Sequence, residues 1–290
     1  MLVWVSLLYH QANQSSSSLV NVSGIAMYSW EMSQHSTSHL TLPVLVINLR
    51  GSIERWKKSS TELSTAGLIF ERLEAVDGRL FAEAELNKLT VWDWRDFFKP
   101  LSPGEVGCYL SHIEAARRIV REGWPWALVF EDDFKLSADF LTGLEKLLKK
   151  DLSSFDLIKL EGSTSGGEIV GVIDEKFKII RHRRPPSRTI AQLWSLDGAK
   201  KFLAKSQFLH RPVDVQLKHW WDLDMNIVHI NPPLVCDADS ATSIIGQRKL
   251  KGFKAWIFRT YYKISFTLSS HYQYAKKWGL LSWIRTTFSR

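Results

Sequence analysis

Three consecutive carboxylates, Glu131-Asp132-Asp133, close the apolar run ALVF at 127–130. Acids at the end of a buried strand are costly unless something positive sits among them. In an open α/β sheet, ligands bind at the edge formed by the carboxyl ends of the strands. A hard divalent cation, Mn2+ or Mg2+, is the natural partner, because such ions take oxygen ligands and bridge to phosphates. Period two puts Glu131 and Asp133 on one side of the strand and Asp132 on the other, so all three reach one ion only if the backbone turns there. By itself the triplet reads equally as a metal and nucleotide site or as a solvated strand end with an N-cap acid for the next helix.

The elements that must hold the triplet follow from periodicity. LPVLVINL (42–49) is a short, β-branched apolar run typical of a buried strand, and Ile53, Trp56, Ser60, Leu63 and Gly67 follow it at helix spacing. FERLEAVDG (70–78) gives a second strand ending at a turn; strand, helix, strand predicts a βαβ unit in a mostly parallel sheet. Residues 102–123 form a helix: Ser102 caps it, Pro103 suits its first turn, Glu105 completes a capping box and Gly123 ends it. ALVFEDD (127–133) is the third strand, 137–150 an amphipathic helix and FDLIKLEG (155–162) the fourth strand. Beyond them come a hairpin over 168–184, helices over 197–206 and 213–221, and a strand over 226–235.

The 290 residues divide into three parts. Residues 1–41, rich in Ser, Gln, Asn, Thr and His, are expected to be a disordered extension, or one upstream of the true translation start, since Met27 and Met32 lie just ahead of the ordered pattern. The NQS and NVS glycosylation patterns at 13–15 and 21–23 fall within it and carry no weight. Residues 42–246 are the α/β domain. Residues 247–290 hold ten Lys or Arg and eleven aromatics, and the last acid is Asp239, so of the net +8 the rest of the chain carries only −2.

A basic, aromatic, helical tail reads in two ways that can coexist: one face packs on the domain, or the segment lies at an anionic membrane surface. No RRM, KH, OB or helix-turn-helix signature accompanies it, so nucleic acid is not an expected partner. Cys108 and Cys236 show no metal-type spacing and read as reduced thiols of a cytoplasmic chain. The apolar start MLVWVSLLY lacks a basic flank, and no stretch reaches the roughly 18–20 apolar residues a membrane span needs. The expected place of work is the cytoplasm or the inner face of its membrane.

In order and spacing, VLVINLRGSIERW (44–56), FERLEAVDG (70–78), LSPGEVGCYLSHIEAARRI (101–119), ALVFEDD (127–133), FDLIKLEG (155–162) and RPVD (211–214) resemble glycosyltransferase family 25. That family includes bacterial lipooligosaccharide galactosyltransferases and collagen galactosyltransferases. The resemblance, over roughly 43–245, implies a GT-A-like fold, a UDP-sugar donor (usually UDP-galactose), a divalent metal and inverting transfer to a hydroxyl of a glycan or glycolipid acceptor. A catalytically silent relative serving as an adhesion or scaffold module is the alternative; the intact acidic triplet and PVD favour the enzyme.

In family terms the triplet is the counterpart of a DxD element, with Glu131 and Asp133 as metal ligands and Asp132 on the donor. Asn48, Arg50, Arg55, Asp77 and Gly78 are similar to the nucleotide pocket. Arg offers a planar fork to phosphate or uracil oxygens, though Arg55 reads equally as a surface helix residue. Gly78 suits a turn of positive φ, and Asp77 reads otherwise as a turn acid. Ser111 and His112, taken with the helix start, are donor-binding candidates because helix N-termini favour anions; a carbonyl-bonded helix histidine is the other reading of His112.

Asp214 is the candidate general base, alongside Asp133 as the other catalytic acid, and otherwise an N-cap. His229 reads as a core strand histidine before a metal ligand. RTIAQLWS (188–195) departs from the Gly-Thr-x-Ala-Tyr-x-x-Ser pattern of many members at Arg188 and Gln192, and is expected to contribute to the sugar or acceptor pocket.

Overall fold

The computed structural model describes residues 42–162, 166–238 and 252–288, all within one compact unit, His39–Arg290. The expected extension at 1–41 and the tail residues 247–251, 289 and 290 lie outside the described residues.

Strand β1 (Val44–Asn48) passes through α1 (Ile53–Thr65) to β2 (Glu71–Glu74), which pairs with β1 in parallel. A 3-10 turn (Gly78–Leu80) and α2 (Glu83–Leu89) precede α3 (Pro103–Glu122). Next comes β3 (Trp126–Phe130), parallel to the other side of β1. The chain bends at Asp132 and Asp133 and resumes as β4 (Phe134–Leu136). It continues through α4 (Phe140–Leu148), β5 (Leu157–Lys159), and the hairpin of β6 (Glu168–Val172) with β7 (Lys178–Arg181). Then follow β8 (Ala191–Ser195), α5 (Leu196–Lys205), α6 (Val213–Lys218), α7 (Trp220–Leu223), β9 (Ile227–Asn231) and β10 (Val235–Asp237). The last is α8 (Phe253–Phe288), broken at Gly279 by φ 85°, ψ 164°.

The main sheet has the order β2-β1-β3-β8-β5-β9-β7-β6. Strands β2, β1, β3, β5, β9 and β6 run one way; β8 and β7 run the other. The carboxyl ends of β1, β2, β3, β5 and β9 therefore share one edge with the start of β8. A separate antiparallel ribbon pairs β10 with β4, setting Asp237 opposite Phe134.

Both sheet faces are covered, which is why β1 and β3 read as continuous apolar runs. Val44, Val46, Leu128 and Phe130 pack with Leu63 of α1 and Phe140, Leu144 and Leu147 of α4. Their neighbours Leu45, Ile47, Ala127 and Val129 face the other way, against Ile113 and Ile119 of α3, Phe202 of α5, Leu217 of α6 and Tyr274 of α8. Each fully buried Leu or Phe contributes about 1.5–3 kcal/mol.

Helix α8 packs its inward aromatics on the domain. Phe258 stacks on Trp94 with ring centroids 4.9 Å apart, Tyr262 meets Phe97 at 5.4 Å, Phe266 meets His219 at 4.6 Å and Trp278 meets Trp220 at 4.4 Å. The Tyr274 hydroxyl donates to Glu168 at 2.9 Å.

Candidate active site

Helix α3 starts as its capping residues dictate. Ser102 Oγ accepts from the Glu105 N–H at 3.3 Å while the Glu105 carboxylate accepts from the Ser102 N–H at 2.8 Å. Lys99 Nζ also reaches that carboxylate, at 2.6 Å. The helix start expected to offer an anion site is thus occupied by the chain's own Glu105, and Ser111 and His112 lie two turns further on. Ser111 is buried, accepting from the Val76 N–H at 2.8 Å and donating to the Gly107 carbonyl at 2.8 Å. Cys108 and His112, one turn apart on α3, both face Glu131.

The triplet fans out. Glu131 Oε1 accepts from His112 Nε2 at 3.1 Å and from the Thr189 hydroxyl, with Cys108 Sγ at 3.9 Å. Asp132 turns to the opposite side, where Asn48 Nδ2 donates to it at 2.5 Å and Arg55 Nη1 at 3.1 Å. Asn48 is in turn held by Arg72, whose guanidinium donates to its Oδ1 and to the Leu49 carbonyl at 3.2 Å. Asp133 sits between the two, with Arg55 no nearer than 3.9 Å. Its Oδ1 is buried and has no hydrogen-bond partner among the described residues.

The electrostatics follow the geometry. Burial opposes ionisation of Glu131, but the hydrogen bond and electrostatic pull of His112, together with Thr189, hold its carboxyl below the ordinary value. Burial raises Asp132 despite Asn48 and Arg55. Asp133 is pushed up to about 7, by burial first and then by the charges of Glu131 and Asp132. A buried, unpartnered carboxylate oxygen among like charges is a position that a hard divalent cation would stabilise. The residues fit such an ion, with Asp133 the best-placed ligand; Glu131 is engaged by α3 and Thr189, and Asp132 by Asn48 and Arg55.

The other predicted residues fall around this centre. The Arg50 side chain is exposed, and its carbonyl accepts from Arg72 at 3.3 Å. Asp77 caps the 3-10 turn, binding the Arg79 N–H at 3.0 Å and its guanidinium at 2.7 and 2.6 Å, and that side-chain hydrogen bond holds its carboxyl below the usual range. The positive φ expected at Gly78 is not found; Gly78 is absent from the glycines with positive φ. A Cβ there would meet the Pro103 carbonyl oxygen at 1.9 Å, and one at Gly107 would meet the Val76 carbonyl oxygen at 2.5 Å. The two glycines let the 3-10 turn cross α3 backbone to backbone.

Asp214 lies in the first turn of α6, and the N-cap is Pro212, so Asp214 does not fill the capping role its position also suggested. Burial, then Glu131, Asp214 and Asp133, raise the Cys108 thiol well above its usual value, so all three carboxylates bear on one point. His229 is buried and stacks on His182 at 4.5 Å. Both cysteines are free.

The sequence profile of glycosyltransferase family 25, described as an LPS biosynthesis protein, matches residues 41–217, more than half of the 290. The chain belongs to glycosyltransferase family 25. It is 29% identical to the probable inactive glycosyltransferase 25 family member 3 of Bos taurus, over 66% of this chain and 36% of that protein. It is 32% identical to the inactive member 3 of Mus musculus, over 63% of this chain and 32% of that protein. Identity to procollagen galactosyltransferase 1-A of Xenopus laevis is 28%, over 62% and 31% respectively. The chain thus spans about a third of the length of these curated relatives.

The segment 188–195, expected at the sugar or acceptor pocket, instead reaches the acidic triplet through Thr189, and Lys159, Glu161 and Asp237 carry no signal of their place in the sequence. Thr189 reaches Glu131 because β8 enters the sheet beside β3. Lys159, fully buried, pairs with Glu161 at 3.0 Å and donates to the carbonyls of Pro186 (2.9 Å) and Arg188, fixing the segment that delivers Thr189. Asp237 comes alongside Asp133 through the β4–β10 ribbon, where Ala238 N–H donates to the Asp133 carbonyl at 2.8 Å. Arg188, standing where many members carry glycine, has φ 77° and an ion pair with Asp237 at 2.9 Å. A left-handed backbone, which glycine adopts freely, costs this Arg about 1 kcal/mol.

Proposed function

We propose that the chain transfers a sugar, galactose in the first instance, from a UDP-sugar to a hydroxyl of a surface glycan such as lipopolysaccharide, with inversion. The observation that carries this is the buried, unpartnered Asp133 Oδ1, raised to about 7 beside two further carboxylates. The family description and the galactosyltransferase among the relatives favour that donor and acceptor class. When bound, a Mn2+ or Mg2+ ion would neutralise charge on the leaving diphosphate.

The chain's own residues do the rest. Asn48 and Arg55 fix Asp132, and His112 and Thr189 fix Glu131, so the triplet is pre-arranged before donor arrives. Arg55 is the nearest guanidinium for donor oxygens. Asp214, which is not the cap of α6 and whose charge raises the Cys108 thiol together with those of Glu131 and Asp133, takes the proton from the acceptor hydroxyl.

The relatives named inactive favour a second reading, a silent scaffold. UDP release from UDP-galactose and other UDP-sugars, with Mn2+ or with chelator, separates the two. Transfer predicts Mn2+-dependent release that falls at least ~100-fold in Asp133→Ala. It also predicts that Asp214→Asn lowers kcat while donor still binds. Absence of metal-dependent release with every UDP-sugar would overturn the transfer reading.

A further inference from the structure

Packing on the domain accounts for only one face of α8. Tyr262, Phe266, Tyr274 and Trp278 turn inward against Phe97, His219 and Trp220. On the far side Ile257, Ile264 and Leu268 recur at i, i+7 and i+11, which lines them up along a 3.6-residue helix. Phe253, Trp256, Tyr261 and Tyr272 border the stripe, and all seven are exposed, Leu268 to 66% and Phe253 to 74%. A run of large apolar side chains facing water over about four turns marks an interaction surface.

Charge says what the surface meets. Residues 252–288 contain no Asp or Glu. Lys254 and Lys276 lie on one flank of the stripe and Lys263 on the other, all three exposed. An aliphatic ridge with aromatic borders and basic flanks matches a bilayer whose headgroups are anionic; long Lys stems let their ammonium groups reach those headgroups while the ridge enters the acyl boundary. The inward face is already committed to the domain, so the helix lies along the surface.

We infer that α8 docks the enzyme on an anionic lipid surface, with Ile257, Ile264 and Leu268 inserted and Lys254, Lys263 and Lys276 against the headgroups. The docking itself stands apart from the transfer reading, because it requires neither donor nor turnover.

Flotation of the full chain tests it, using phosphatidylcholine vesicles with and without phosphatidylglycerol. The chain should float with the anionic vesicles and about tenfold less well with the neutral ones. Ile257→Ser, Ile264→Ser and Leu268→Ser together should weaken binding about 100-fold. Lys254→Glu, Lys263→Glu and Lys276→Glu together should abolish the preference for anionic lipid. Because all six side chains face water, melting temperatures should stay within ~2 °C of the parent. Absence of flotation, or equal flotation of the triple Ser variant, overturns the inference. So does a dimer by light scattering that the triple Ser variant dissolves, which would make the stripe a contact between copies of the chain.

Discussion

Replacing Asp133 by Asn removes a carboxylate whose ionisation the metal-free fold opposes. In the folded chain its pKa is raised from 3.8 to about 7. Between those values the unfolded chain has released the proton and the folded chain still holds it, so stability falls as pH rises through the window and the loss is complete above it. About three pH units at ~1.4 kcal/mol each give an upper bound near 4 kcal/mol. The side chain keeps 26% of its exposure, and screening there trims the effect to about 2 kcal/mol.

Asp133→Asn should therefore melt roughly 5 °C above the parent at pH 8 in chelator and within ~1 °C of it at pH 4. Added Mn2+ should reverse the order at pH 8, because only the parent gains a charged ligand. Scanning calorimetry at both pH values, with and without Mn2+, reads all of this. An Asn variant no more stable than the parent at pH 8 in chelator, or one that gains as much from Mn2+, would refute the reasoning.

Two further predictions concern the frame around the site. Gly107→Ala should cost about 3 kcal/mol in urea unfolding, because its Cβ meets backbone on the 3-10 turn, whereas Gly51→Ala, with nothing within 4 Å, should stay within ~0.5 kcal/mol; equal costs would contradict the close crossing. His219 is depressed to about 3 by burial, so its contribution is intact above pH 6.5 and is lost as pH falls, by up to about 3 kcal/mol at pH 4; His219→Asn should flatten that acid limb in denaturant titrations at pH 7 and pH 4.

The parts of this fold legible in the sequence are those whose signals are local. The βαβ start, the Ser102–Glu105 box, the Gly123 stop and the acidic end of β3 each depend on neighbours within a few residues. Strand β8 is not legible in the sequence, because AQLWS acquires its place only by pairing between β3 and β5, and the contact of Thr189 with Glu131 and the Lys159–Glu161 pair depend on that pairing. Asp237 depends likewise on the β4–β10 ribbon.

Cys108 and His112 show the one-turn spacing of a shared helix face, but only the fold puts Glu131 opposite that face. A glycine such as Gly78 signals a positive-φ turn and a close backbone crossing alike, and only the packing on α3 shows that the crossing is the requirement. In the tail, aromatic and basic counts could not separate packing from an outward surface; the helix places Tyr274 in the core and Leu268 in water.

In the proposed function, the acidic triplet holds a nucleotide-sugar through a divalent ion. Calorimetric titration of UDP-galactose into the full chain, in Mn2+ and again in chelator, tests it most directly. Binding should be at least tenfold tighter in Mn2+, a difference of ~1.4 kcal/mol or more that disappears in Asp133→Ala. Equal affinity under both conditions, or the same Mn2+ dependence in Asp133→Ala, would contradict it.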